Sequence, residues 1–180
     1  GGDPGHLKRV ARNGHTLFVT GVLGGVSRMK QLREQLEQIA VAEKRDPANV
    51  RLAVSRLAFV TKSRKDADHY INCALYQQRL AVSLKLRREK VANDYIVQEQ
   101  PYDDEPDVET IRRNLPVGDV DTCIEKMVRI ARELKPVHIM IQTQVGDMEH
   151  KKSLGAMELW AGEVIPGVMR ELGMTRPVSA

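Results

Sequence analysis

The segment "VHIMIQTQVGDM" changes character halfway along. Its apolar half reads as a buried strand, yet it finishes in Gln142, Thr143, Gln144 and Gly146, just before an amphipathic pattern begins. Amide and hydroxyl groups there can orient a ligand without adding charge, and a glycine lets backbone come close to it. In an extended chain Gln142 and Gln144 share one face and Thr143 takes the other. Two further stretches could do chemistry. "GGDPG", Gly1 to Gly5, places small residues at a helix start, where open N–H groups and the helix dipole favour an anion such as phosphate. Asp3 would repel that anion if its carboxylate pointed at it, and can instead cap the helix; a simple tight turn accounts for the same residues. "GVLGG", Gly21 to Gly25, can approach a ligand but lacks the spacing of a dinucleotide fingerprint, and a flexible connection explains it better.

Other chemistries have no clear home. There is no nucleophile elbow or convincing triad, and Ser153 three residues after His150 is an ordinary surface spacing. Glu158 and Glu163 read as solvent-facing or capping groups. The five histidines are scattered, and Cys73 and Cys123 form neither a zinc pattern nor a disulfide framework. No metal is expected. Both cysteines read as buried apolar thiols, which suits a reducing cytoplasm.

The elements that must position these groups alternate in period. "PGHLKRVARNG" reads as a helix with Pro4 in its first turn and Gly14 closing it. "TLFVT" (Thr16 to Thr20) is a continuous apolar strand. Ser27 is the expected cap of a helix carrying Leu32, Leu36, Ile39 and Ala40. "RLAVSRLAFVT" (Arg51 to Thr61) is a second strand whose imperfect alternation implies two covered faces or a bulge. Ser63 and Asp66 begin a helix running to about Arg88. From 89 to 114 the periodicity fails, and "VQEQPYDDEPDVETIRRN" is expected to be an irregular insertion, a lid or a plain surface excursion. Asp119 caps the next helix, "VHIMIQT" is the third strand, and a last helix places Leu154, Met157, Ala161 and Val164 on one side with Trp160 beside them. Pro166 should end or kink it. Apolar strands between amphipathic helices imply parallel pairing through right-handed crossovers, and ligands in such α/β folds sit at the strands' carboxyl ends.

The composition fits one soluble domain: 180 residues, 42% hydrophobic and 29% charged. The formal charge of +4 comes from 28 basic and 24 acidic residues that are interspersed; only Lys85 to Lys90 is locally dense, and a solvated helix face explains it. With aromatics at 4%, stacking platforms for single strands are scarce, so nucleic acid is not an expected partner. No apolar run approaches the roughly 20 residues that span a bilayer, and the opening lacks the apolar core of a cleavable signal.

"NLPVGDVDTCIEKM", "PVHIMIQTQVGDM" and "MELWAGEVIP" together resemble the C-terminal end of luciferase-like flavin-dependent monooxygenases. There a glycine and a cap open a helix, an apolar strand ends in polar residues and glycine, and the last helix carries Met-Glu-Leu, an aromatic and Glu-Val-x-Pro. Here these fall on Gly118 and Asp119, on Gln142 to Gly146, and on Met157 to Pro166. "GGDPGHLKRVARNGHTLF" is similar to the family's stretch between its fifth and sixth strands, and the resemblance covers nearly the whole chain.

The resemblance implies a (β/α)₈ barrel binding reduced FMN, or a related deazaflavin, at its C-terminal mouth, with homodimers common. It implies that Gly2, Asp3 and Gly5 match the flavin-phosphate loop, where a serine is more usual than Asp3. Gln144 and Gly146 would match the end of the eighth strand, beside the ring or a small-molecule substrate, and Thr20, at the carboxyl end of its own strand, is expected at the same mouth. A complete barrel needs about 200–250 residues. Three strands therefore make residues 1–180 a partial barrel of about three βα units, strands six to eight. The other five, and with them most catalytic residues, are expected in a preceding part of a longer polypeptide or in another chain. By itself such a segment would expose two sheet edges and be poorly stable and inactive. Three functions stay open: a flavin monooxygenase portion, a deazaflavin-dependent oxidoreductase, and a non-catalytic flavin-binding protein that dimerises.

Overall fold

A computed structural model describes residues 3–21, 23–98 and 100–174. Three parallel strands organise it: β1 (Thr16–Thr20), β2 (Arg51–Leu57) and β7 (His138–Gln142), in the order β1-β2-β7. Thr20 pairs with Ser55, Ser55 with Met140 and Leu57 with Gln142, so all three strands end at one edge of the sheet. This is the α/β arrangement expected of consecutive barrel units. Neither β1 nor β7 has a further strand beside its outer edge among the described residues.

The helices run back from that edge. Helix α1 (Pro4–Asn13) has Asp3 as its cap, with its carboxylate accepting from the His6 N–H at 2.7 Å, and Gly14 (φ +66°) closes it. Because Gly14 leads within two residues into β1, α1 runs antiparallel to β1 and opens at the strands' carboxyl end. Helix α2 (Val26–Ala42) starts two residues earlier than a cap at Ser27 would place it. Its N-cap is Gly25 without a side-chain cap, so Ser27 does not serve as the cap. Asp119 caps α5 (Val120–Leu134) as expected, accepting from Thr122 N–H at 2.8 Å, and Gly118 (φ +143°) makes the bend before it.

One face of the sheet is covered. Leu17, Val19, Leu52 and Val54 pack against Leu7 and Val10 of α1, Leu36 of α2, and Cys123, Ile130 and Leu134 of α5. The opposite face carries Phe18 and Met140, 53% and 52% exposed, in the place of a barrel interior. A residue series at period two thus separates a helix-packed side from an open one.

The second strand breaks at Ala58 and resumes as β3 (Phe59–Val60), which pairs with β6 (Val117–Gly118). Between them lies α3 (Arg64–Leu86), capped by Ser63. The segment 89–114, read above as irregular, contains a hairpin, β4 (Lys90–Ala92) with β5 (Tyr95–Gln98), and helix α4 (Val108–Asn114). Helix α4 is too short for amphipathic periodicity to stand out, and its fixing points are tertiary: Asp107 caps it, and the Lys126 ammonium of α5 reaches the carbonyls of Arg112 (2.7 Å) and Leu115 (2.8 Å) at its far end. Burial lowers the Lys126 pKa. A second apolar cluster, including Leu23, Leu57, Phe59, Tyr70, Ile111 and Met148, roofs the carboxyl end of the strands.

The last helix departs from the expected pattern in two ways. Pro166 neither ends nor breaks it: α6 (His150–Leu159) passes through a π turn at Trp160–Val164 into α7 (Ile165–Glu171). The Ile165 N–H bonds the Trp160 carbonyl five residues back, and this wider turn absorbs the N–H that proline lacks. The buried face is Ser153, Ala156, Trp160 and Val164, whereas Leu154 and Met157 are exposed. No helix among the described residues is long and apolar enough to cross a membrane.

Candidate functional site

The strand ends define a mouth. Thr20 ends β1 on the open face and, with Phe18, Gly21, Gly24 and Gly25, lines a cleft of about 850 Å³. Its other wall is Arg28 and Gln35 of α2 with Gln78, Tyr102 and Asp104. The wall segment around Tyr102 is anchored to α3 by a two-point pair, Arg79 to Glu105 at 2.8 and 2.6 Å, which lowers the Glu105 pKa. Gly24 borders open space, so this part of the loop leaves room for a ligand.

The loop after β1 is held by an arginine that the sequence reading passed over. Arg56 is 1% exposed, donates to the Gly21 carbonyl, and donates to the Asn114 carbonyl at 2.8 Å. Asn114 in turn donates to the Leu23 carbonyl at 3.2 Å. Burial lowers the Arg56 pKa to about 10, with the Arg129 charge adding to the effect, so the guanidinium stays protonated at neutral pH. A lone Arg inside an apolar strand carries no sequence signal for this role.

The end of β7 explains its own polar residues. The Gln142 carbonyl accepts from the Tyr70 hydroxyl and from the Ala58 N–H, and the same hydroxyl accepts from Ala58 N–H at 3.0 Å. Gln142 donates its side-chain amide to the Gln144 carbonyl at 3.2 Å, and Gln144 donates to the Met148 carbonyl at 2.7 Å. The amides thus tie down their own loop. Desolvation raises the Tyr70 pKa, and its ring stacks on Phe59 at 4.9 Å. Gly146 (φ +57°) then turns the chain tightly over α3.

Of the residues named from the sequence, Thr20, Gln144, Gly146, Asp3 and Gly5 all stand at the carboxyl end of the strands; Gly2 lies outside the described residues. Asp3 acts as the α1 cap. Thr20 lines the cleft beside β1, whereas Gln144 and Gly146 belong to the far side of the mouth, against α3.

There the sequence missed a cluster. His69 and Cys73 of α3 meet Asp147: the imidazole Nε2 is 3.0 Å from the Asp147 carboxylate, the Cys73 thiol donates to that carboxylate at 3.1 Å, and thiol and imidazole are 3.7 Å apart. Burial and the hydrogen bond to the Asp147 carboxylate push the thiol pKa up to about 11, and the same bond lowers that of Asp147. The four-residue spacing of His69 and Cys73 on one helix was a readable signal; Asp147, 74 positions beyond Cys73, was not. Cys123 is the apolar thiol expected, its pKa raised by burial to about 12.

The luciferase-like monooxygenase family model matches residues 1–135. The uncharacterized protein y4vJ of Sinorhizobium fredii is 32% identical over 167 residues, which cover 93% of this chain and 48% of that protein. Two solved structures share the fold at a TM-score of 0.59. One is the oxygenating constituent of 3,6-diketocamphane monooxygenase of Pseudomonas putida, in complex with FMN (18% identity, 90% of this chain, 45% of that one). The other is the coenzyme F420-dependent tetrahydromethanopterin reductase of Methanopyrus kandleri (16% identity, 92% and 49%). The chain spans about half the length of the proteins it matches.

Proposed function

This chain belongs to the luciferase-like monooxygenase family, and from that premise we propose that it is one sector of a flavin-dependent monooxygenase barrel acting on a small organic substrate with reduced FMN and O₂. The observation that carries the reading is the common mouth: three parallel strands ending together, with a cleft beside Thr20 whose size falls within the range of about 300–1,000 Å³ typical of ligand pockets. Bound flavin supplies the electrons that activate O₂. The chain's part is to hold and enclose it. Backbone N–H groups around Gly2 and Gly5 receive the phosphate at the start of α1, with Asp3 turned to its own helix as cap. Thr20 and the glycine loop border the ring, and Gln144 and Gly146 shape the opposite wall through the loop they fix.

The remaining strands come from further residues of a longer polypeptide or from a second chain, and the 180-residue segment is inactive without them. Phe18 and Met140, exposed on the open face, support this. The F420-dependent structure matches as well as the FMN-bound one, which supports a second reading: hydride transfer with a deazaflavin on the same mouth. A non-catalytic flavin-binding dimer is the third.

Titration of the longer polypeptide with FMN and with F420, followed by oxygen uptake on adding reduced FMN, measured against the uptake by reduced FMN without protein, separates these. FMN binding with oxygen uptake supports the monooxygenase. Binding of F420 alone, without uptake, replaces it with the reductase, and flavin binding without turnover leaves the binding protein. Gly2→Leu should weaken FMN binding; unchanged affinity removes the phosphate assignment.

A further inference from the structure

We propose that His69, Cys73 and Asp147 form a binding site for a zinc-class divalent cation, with three protein ligands and one coordination position open to solvent. The distances carry the argument. A tetrahedral zinc ion bound at about 2.0–2.3 Å to nitrogen, sulfur and oxygen sets those atoms about 3.3–3.6 Å apart. Here the separations are 3.0 Å (nitrogen to oxygen), 3.1 Å (sulfur to oxygen) and 3.7 Å (sulfur to nitrogen). All three ligand atoms lie within 4.8 Å of one another, so adjustments of a few tenths of an ångström bring them to a common centre.

The ligand types favour the same ion. A thiolate discriminates against magnesium and calcium, and the mixture of sulfur, nitrogen and oxygen suits a borderline metal. His69 and Cys73, four apart on α3, present their donors from one helix face, a rigid two-ligand platform. The third ligand arrives from the loop after β7, and Gly146 sets its position: with φ +57° it brings the loop so near that a Cβ there would lie 2.8 Å from the Cys73 Cβ. Cys73 is buried, while the Asp147 side chain is 82% exposed, so the metal would sit at the rim with its free position outward. As the metal–sulfur bond forms, the thiol proton leaves to solvent. The ion would cross-link α3 to the loop closing the mouth, independently of which flavin the mouth binds.

The test is metal binding by the purified chain, freed of metal by a chelator and checked for helix content by circular dichroism. One equivalent of Zn²⁺ should bind. Co²⁺ in its place should give a thiolate-to-metal charge-transfer band and the visible bands of a tetrahedral site. Asp147→Asn, at a solvent-exposed side chain, should weaken binding at least tenfold with the fold intact. Cys73→Ser should abolish the charge-transfer band, whereas Cys123→Ser should retain it. Absence of stoichiometric binding by the folded chain overturns the proposal, as does affinity unchanged in Asp147→Asn or a charge-transfer band that follows Cys123.

Discussion

Gly146 rests on Cys73. A Cβ added to the glycine would meet the Cys73 Cβ at 2.8 Å and its Sγ at 3.1 Å, and the backbone there is left-handed at φ +57°. Close approach and positive φ each disfavour a side chain at this position. Gly146→Ala should therefore destabilise the protein by roughly 1–3 kcal/mol, the left-handed conformation alone accounting for about 1–2. Gly24→Ala, which faces open space, should change stability by less than about 0.5 kcal/mol. Denaturant midpoints of the two variants check this pair of values.

Trp160 is 2% exposed in the main core, and its indole N–H has no partner among the described residues. Trp160→Ala should cost roughly 3–5 kcal/mol through the cavity it leaves. Trp160→Phe keeps most of the packing and removes the orphan donor, so its cost should stay under about 1.5 kcal/mol. Equal losses in the two variants, read from thermal or urea unfolding, would contradict this account.

Arg56 fixes the loop after β1 through the carbonyls of Gly21 and Asn114. Arg56→Ala leaves both without their donor and opens a cavity, so a loss of at least about 2 kcal/mol is expected. Faster amide exchange in residues 23–25 and 114 should accompany it. If exchange there is unaltered, the arginine does not hold the loop.

Asp119 caps α5, and its hydrogen bonds from Thr122 lower its carboxyl pKa. A depressed folded-state pKa means stability that is fully present above the ordinary carboxylate range and lost as pH falls through the folded value. Asp119→Ala should cost about 1 kcal/mol at neutral pH. The gap from the unaltered protein should close progressively below about pH 4. Urea unfolding at a series of pH values measures it; a gap independent of pH would show that the charge plays no part.

Much of the fold was legible because its signals are local. The apolar runs of β1, β2 and β7 and the caps Asp3, Ser63 and Asp119 depend on residues within a few positions of one another. Parallel pairing followed from strands too apolar to have a solvent face. Short elements were not legible. Helix α4 depends on Lys126, and the hairpin β4–β5 has two strands too brief to show alternation. At Pro166 the local rule pointed to an end or a kink; the helix does not end there but continues through a π turn that packs Trp160 and Val164 into the core. That turn also rotates the buried stripe, which is why Leu154 and Met157 face outward.

The sequence by itself determined the order of elements, the α/β class and the polar ends of the strands, since each follows from periodicity and capping within one segment. Only the tertiary structure decided which polar residues serve the mouth and which serve the scaffold. Gln144 spends its amide on Met148, Arg56 holds Gly21, and Cys73, read as an inert thiol, meets His69 and Asp147. Those meetings join residues up to 74 positions apart. The meeting of Cys73 and His69 with Asp147 arises where α3 packs against the loop after β7, and that of Arg56 with Gly21 where β2 lies beside the end of β1, relations that no local pattern encodes.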